Sequence, residues 1–164
     1  MRDRQAWEQQ VPDIWTCEYQ SKQAPGVGVA AALSMPVEFG MLRSCMQREY
    51  ECNASMRQRF TELGESEECV RAITPAEEGD IGDVILVNLA QLGWDEAEDI
   101  IRRWCCEVSH NENLPLFEFC CVRLPHGYNG FVLRIDRRLM DLDQLRETSH
   151  NILRTYELRA CGND

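Results

Sequence analysis

Apolar residues fall along this chain in several rhythms, and the rhythms divide it into elements. Asp13 to Gln20 is a short opening element, followed by a turn over Lys22–Gly28 with Pro25-Gly26 as its punctuation. Val27 to Ser34 is small and apolar and suits a buried strand. Pro36 stands where a helix can begin, and Phe39, Leu42, Cys45, Met46 and Tyr50 recur at helical spacing as far as Cys52. Met56 to Phe60 alternates apolar and polar, as does Cys69 to Ile73, which predicts two strands paired across the Gly64-Glu65-Ser66 turn. Pro75 to Gly82 is an acidic loop, and Val84 to Val87 a short β-branched strand. Trp94 to Val108 is an amphipathic helix with Ala97, Ile100, Ile101, Trp104 and Cys105 on its apolar stripe. Its acids (Asp95, Glu96, Glu98, Asp99) come first and Arg102 and Arg103 later, the polarity a helix dipole favours. Leu116–Leu124 and Gly130–Asp136 are strands of a hairpin around Pro125–Asn129. A last helix over Asp143–Leu158 turns Leu145, Ile152, Leu153 and Tyr156 inward.

Strands and helices mix with an antiparallel hairpin and no sustained βαβ alternation. The expected fold is α+β, helices packed on a mixed, mainly antiparallel sheet. There is no internal repeat or low-complexity tract. The 164 residues are expected to form a single domain over 1–164, with 1–10 flexible.

Composition narrows the function classes. Hydrophobic residues make up 44% and charged residues 27%, which excludes a disordered chain. No apolar run approaches the ~20 residues of a membrane helix, and the polar start Met-Arg-Asp-Arg-Gln-Ala-Trp-Glu is unlike a signal peptide, so a cytoplasmic protein without membrane contact is expected. A net charge of −11 with no basic stripe argues against nucleic acid and fits a solvated acidic surface. Nine cysteines, an odd number, do not suit a secreted disulfide framework. Cys105-Cys106 and Cys120-Cys121 are adjacent rather than CxxC, and His110 and His126 stand at no ligand interval. Reduced core thiols, no metal and no cofactor are therefore expected.

Candidate catalysts are few. His110 follows the long helix, His126 sits in the hairpin turn and His150 on the outer side of the last helix, all read as surface or capping residues. Cys120 and Cys121 lie mid-strand on opposite faces and read as core. Glu67-Glu68 and Glu77-Glu78 read as solvated charge.

Four strings share one order with a known family. Val11-Pro12-Asp13-Ile14-Trp15-Thr16-Cys17-Glu18-Tyr19-Gln20 is of the "E-D-I-Y-P-C-T-P-L-Q" type. Asn53 to Phe60 is similar to "H-x-x-L-R-T-R-F". Leu114-Pro115-Leu116-Phe117-Glu118-Phe119 is similar to "G-P-L-F-R-F". Val132 to Leu142 falls where "H-H-x-x-x-D-G" closes a hairpin. From Val11 onward the chain resembles the N-terminal half of a fungal nonribosomal peptide synthetase condensation domain.

The resemblance implies a single lobe like chloramphenicol acetyltransferase, with the family's second lobe absent. The family's second motif histidine organises or removes the proton of an amine attacking a thioester. Here that position is Arg137, preceded by Asp136, and an arginine cannot act as general base. The motif glycine is Leu142; the motif aspartate persists as Asp141. In the family this aspartate pairs with the arginine that maps onto Arg57, so a structural Arg57–Asp141 ion pair is implied. Arg57, Arg59, Arg137 and Arg138 are the implied ligand contacts.

Three functional readings follow from the resemblance. The first is a catalytically degenerate accessory protein of fungal secondary metabolism, binding a peptide- or polyketide-like intermediate or a synthetase. It would self-associate or take a partner protein over the lobe face that the second half would cover. The second is an enzyme of altered chemistry, a cyclase, isomerase or acyltransferase, working by orientation with Arg57, Arg137, Arg138 and Asp141. The third is a non-functional fragment.

Overall fold

Every residue of strand β2, Gly26–Leu33, is buried, and the molecule is layered around it. The computed structural model describes residues 13–21, 23–62, 69–77, 79–107 and 116–162. Strand β2 lies between β1 (Ile14–Gln20) and β7 (Asn129–Asp136), antiparallel to both. β7 pairs antiparallel with β6 (Phe117–Arg123), and β6 runs parallel to β5 (Ile85–Asn88), giving the order β1-β2-β7-β6-β5. A separate ribbon joins β3 (Gln58–Glu62) to β4 (Cys69–Ile73).

Helices cover both faces of the five-stranded sheet. Val27, Val29, Ala31 and Leu33 share one core with α1 (Phe39–Cys52) and α3 (Leu142–Ala160), through Leu42, Met46, Leu145 and Ile152. The alternate residues Ala30 and Ala32 face α2 (Trp94–Cys106), packed with Ala97, Ile101 and Cys105. Side chains of successive strand residues point to opposite faces, so one small-residue strand serves both layers. Glycine is needed where a helix and a strand, or two neighbouring strands, approach most closely. A Cβ on Gly28 would lie 2.2 Å from Cys105 Sγ, and one on Gly130 would lie 1.9 Å from the Ala31 carbonyl oxygen.

The α+β expectation is met, as are the β6–β7 hairpin and the β3–β4 pairing, and the buried stripe of α3 holds Leu145, Ile152, Leu153 and Tyr156. Other boundaries move for local reasons. α1 starts at Phe39 rather than near Pro36, because the Glu38 side chain accepts from the backbone N–H groups of Gly40 (3.0 Å) and Met41 (2.6 Å). The N–H of Glu38 itself donates to Tyr156 Oη on α3 at 3.0 Å, pinning the helix start to the core. The strand expected from Met56 begins only at Gln58. Ala54–Arg57 is a 3-10 turn instead, capped by Asn53 Oδ1 accepting from Ser55 N, and it sinks Met56 fully into the core. The last helix begins at Leu142 and runs to Ala160, beyond the expected bounds at both ends. Residues 1–10, Val108, His110, the Gly64–Ser66 turn, Glu67-Glu68, Glu78 and Leu114-Pro115 lie outside the described residues.

Candidate functional site

The segment from Asp136 to Leu142 links the central strand to α3, and backbone bonds fix its course. Asp136 N donates to the Leu116 carbonyl at 2.8 Å, Arg137 N to Pro25 O at 3.0 Å and Leu139 N to Asp136 O at 2.9 Å. Leu139 and Met140 then enter the core, leaving the polar residues around them to make local contacts.

Asp136 is 2% exposed. Its Oδ1 accepts from Arg138 N at 2.9 Å and from Arg138 Nε at 3.1 Å, and its Oδ2 from Arg138 Nη2 at 2.9 Å. A carboxylate two residues before a turn N–H is suited to this closure, and the guanidinium fork adds charge-assisted bonds that a buried carboxylate needs. Arg137, half-buried, donates from Nη2 to the Ser21 carbonyl, so its guanidinium braces the β1–β2 turn.

Asp141 does not pair with Arg57. Its backbone is extended (φ −80°, ψ 174°), which aims the carboxylate back at its own helix, where Oδ1 accepts from Gln144 N at 2.8 Å. Gln144 Oε1 returns the contact to Asp141 N at 3.0 Å, completing a capping box. Arg57 donates from Nη1 to Glu51 O at 2.9 Å, and its Nε is buried without an acceptor among the described residues. The implied ion pair is therefore replaced by two local arrangements, because a helix N-terminus with free N–H groups outcompetes a guanidinium held by another turn. Leu142, expected from the resemblance to stand in the motif glycine's place, is the first residue of α3 and packs partly against the core. Arg59 is also spoken for: it donates to Gln58 O at 3.1 Å and to Tyr50 Oη at 3.4 Å, while Tyr50 Oη donates to Asp80 Oδ2 at 2.6 Å.

The other candidates fall elsewhere. His126, in the turn after β6, has φ 60° and stacks on Trp94 at 6.1 Å between ring centroids; His150 is exposed on α3. Cys121 lies in the core beneath α1 and α3 and Cys120 in the core beneath α2, as their alternation predicted. Burial pushes the Cys121 thiol up to about 11 and the Cys120 thiol up to about 12, and raises Cys105 further, so none is a ready nucleophile. Cys17, Cys45, Cys52, Cys105, Cys106, Cys120, Cys121 and Cys161 are free. Among the described residues no group of three or more His, Cys, Asp or Glu is placed to hold a metal, and no helix is long and apolar enough to cross a membrane.

Two features were missed at the level of sequence. Arg134 lies 4.1 Å over the Trp104 ring, donates to the Trp104 carbonyl at 2.8 Å and meets Glu118 at 2.7 Å, so it closes the end of α2. A cleft of about 390 Å³ opens beside the motif between α1 and α3, with Glu49, Asn53, Thr148 and Asn151 in its walls. Glu49 and Asn53 are four residues apart and Thr148 and Asn151 three, spacings that put each pair on one helical face.

No family model and no curated protein matches this chain. Solved structures match its fold. The first condensation domain of the CDA synthetase aligns with a TM-score of 0.69 at 15% identity, covering 86% of this chain and 36% of that one. The starter condensation domain of the rhizomide synthetase RzmA aligns at 0.68 and 13%, covering 86% and 34%. The SgcC5 protein from Streptomyces globisporus aligns at 0.69 and 16%, covering 83% and 30%. The chain spans about a third of the length of each. The fold is thus a single α+β lobe of the condensation-domain, chloramphenicol acetyltransferase-like kind, and the neighbours include condensation domains of two synthetases.

Proposed function

We propose that this chain is a condensation-like lobe that does not form amide bonds and acts as a cytosolic accessory protein of fungal secondary metabolism. On this reading it holds a peptide- or polyketide-like intermediate, or docks on a synthetase. The observation that carries the reading is Arg137. Condensation needs an amine to lose a proton as its nitrogen attacks a thioester carbonyl and the thiolate leaves. A guanidinium stays protonated at working pH and has no lone pair to offer that proton. In this lobe it also braces the Ser21 carbonyl, and the preceding Asp136 is engaged by Arg138. The scaffold around the motif is kept while the base is missing.

The ligand class is taken from the neighbours: one rhizomide starter condensation domain was solved in complex with C8-CoA, at 12% identity to this chain. Arg57, Arg59, Arg137 and Arg138 are the proposed contacts for such an acyl or peptidyl chain. We also place a second copy or a partner protein against the lobe. Ile85 and Leu86 point to opposite faces of edge strand β5, yet are 59% and 44% exposed, an arrangement that isolated sheets avoid.

The test is to incubate the purified protein with an acyl-pantetheine thioester and an amine, following products by mass spectrometry. Thioester binding without amide above the uncatalysed rate is expected. Amide formation that disappears in Arg137→Ala would overturn the proposal, and a cyclised or rearranged product lost in the same variant would replace it with altered chemistry. Light scattering should show an assembly larger than one chain; a clean monomer that captures no synthetase would remove the pairing.

A further inference from the structure

The cleft between the end of α1, the Ala54–Arg57 turn and the first half of α3 has a chemistry of its own. Its volume, about 390 Å³, is within the ~300–1,000 Å³ of sites that take small molecules. Half-buried Glu49 forms one wall, its Oε1 accepting from Asn53 Nδ2 at 3.3 Å and from Asn151 Nδ2 at 3.4 Å. Both contacts are long, and Asn53 Nδ2 is shared with Thr148 Oγ1 at 3.2 Å. Among the described residues no arginine, lysine or histidine lines the cleft, while a second carboxylate, Glu147, does. Burial, with the repulsion of Glu147 added, holds the Glu49 carboxyl above its ordinary value despite the two amides. The charged capacity of the lining is all for accepting, at Glu49 Oε2 and the Glu147 carboxylate; the Asn151 carbonyl also accepts, the Gln144 amide N–H groups donate, and the Ser55 hydroxyl can do either. A concave surface with two carboxylates, one of them partly desolvated, and no counter-charge among the described lining residues is complementary to a donor-rich cation and repels phosphates and carboxylates.

We propose that this cleft binds a primary ammonium group carried on a small flexible chain, with Glu49 and Glu147 as its charged contacts and Asn53 and Asn151 orienting Glu49. The assignment uses none of the motif arginines and stands whether or not the lobe holds an acyl intermediate.

The probe is spermidine, titrated by calorimetry into the full chain at about 150 mM salt, where long-range attraction to an acidic surface is screened, with sorbitol as a neutral comparison. One-to-one binding is expected, weakened about tenfold or more by Glu49→Gln and severalfold by Glu147→Gln. Glu96→Gln, on the distant α2, should leave it within about twofold. Glu147 is exposed, so its variant reports on the cleft even where Glu49→Gln perturbs folding. The proposal fails if spermidine does not bind by about 5 mM, if sorbitol binds as well, or if the three variants weaken binding alike, which would mean diffuse attraction to the acidic surface.

Discussion

Asp136 and Arg138 stand two residues apart and close on each other through three hydrogen bonds of 2.9–3.1 Å, one from the backbone and two from the guanidinium. The carboxylate is buried and the arginine reaches it from a half-exposed position. This arrangement ends the central strand and sets the direction in which the chain turns towards α3. Removing Arg138 leaves a buried carboxylate with fewer donors, so Arg138→Ala should cost about 1–3 kcal/mol, read as a drop in urea midpoint at unchanged slope. Arg138→Lys keeps the charge but not the fork and should fall between. A midpoint unmoved by Arg138→Ala would mean that the closure contributes nothing to the fold.

Asp141 and Arg57 supply a second test, because a paired and an unpaired arrangement differ in coupling. With the carboxylate capping α3, Asp141→Ala should cost about 1 kcal/mol as a lost N-cap. Arg57→Met should act independently of it. A double-mutant cycle by chemical denaturation is expected to show a coupling below about 0.5 kcal/mol; a larger favourable term would restore the ion pair.

The capping role of Asp141 was legible in the sequence, since Asp141-Leu142-Asp143-Gln144 carries the acid-x-x-Gln spacing of a capping box. The resemblance implies Arg57 instead, because the partner expected from the family and a local one compete for the same carboxylate. β6, β7 and α3 were readable because their apolar period matches a burial pattern that tertiary packing then enforces. The start of α1 was not, since Pro36 is an acceptable first residue and only the reach of the Glu38 side chain decides the cap. Met56 misled for a related reason: alternation around it is compatible with a strand, but the Asn53 cap turns the backbone before the strand begins. The cleft was hidden because Glu49, Asn53, Thr148 and Asn151 are polar and read as solvent-facing until α1 and α3 are brought side by side.

Thiol chemistry should separate the cysteines by layer. Cys52 and Cys161 are exposed, Cys17 and Cys106 half-buried, and Cys45, Cys105, Cys120 and Cys121 buried. An aromatic disulfide reagent in native buffer is expected to label Cys52 and Cys161 first. The four buried thiols should react only at the rate of unfolding, since burial suppresses the thiolate as well as access. Fast native labelling at Cys120, mapped by peptide mass, would contradict the packing of α2 on the sheet.

Two glutamates should move stability with pH in opposite directions. The hydrogen bonds from Arg146 hold Glu18 below its ordinary value. Its contribution is therefore present above the unfolded value near 4.5 and lost as pH falls through the lower folded value. Glu49 is raised by burial, so its favourable term is present below 4.5 and disappears as pH rises through the folded value, leaving a buried charge at neutral pH. Glu18→Gln should flatten the loss of stability on acidification, whereas Glu49→Gln should raise Tm at pH 7 and lose that advantage near pH 4. Thermal melts over this range check both signs, and a lower Tm for Glu49→Gln at pH 7 would contradict the second.

Gly130 tests the seam between the two central strands. It faces Ala32 on β2, and an added Cβ would lie 1.9 Å from the Ala31 carbonyl oxygen and 2.6 Å from the Ala32 Cα. Those neighbours are backbone and cannot swing aside as a side chain would, so relief requires β2 and β7 to separate where both cores meet. Gly130→Ala should therefore cost about 3 kcal/mol or more, at the upper end of overpacking. Gly93→Ala, where an added Cβ meets nothing within 4 Å, should cost less than about 1 kcal/mol, the scale of a cap exchange. If Gly130→Ala unfolds at the parent's urea midpoint, the β2–β7 register is not the one that holds the lobe together.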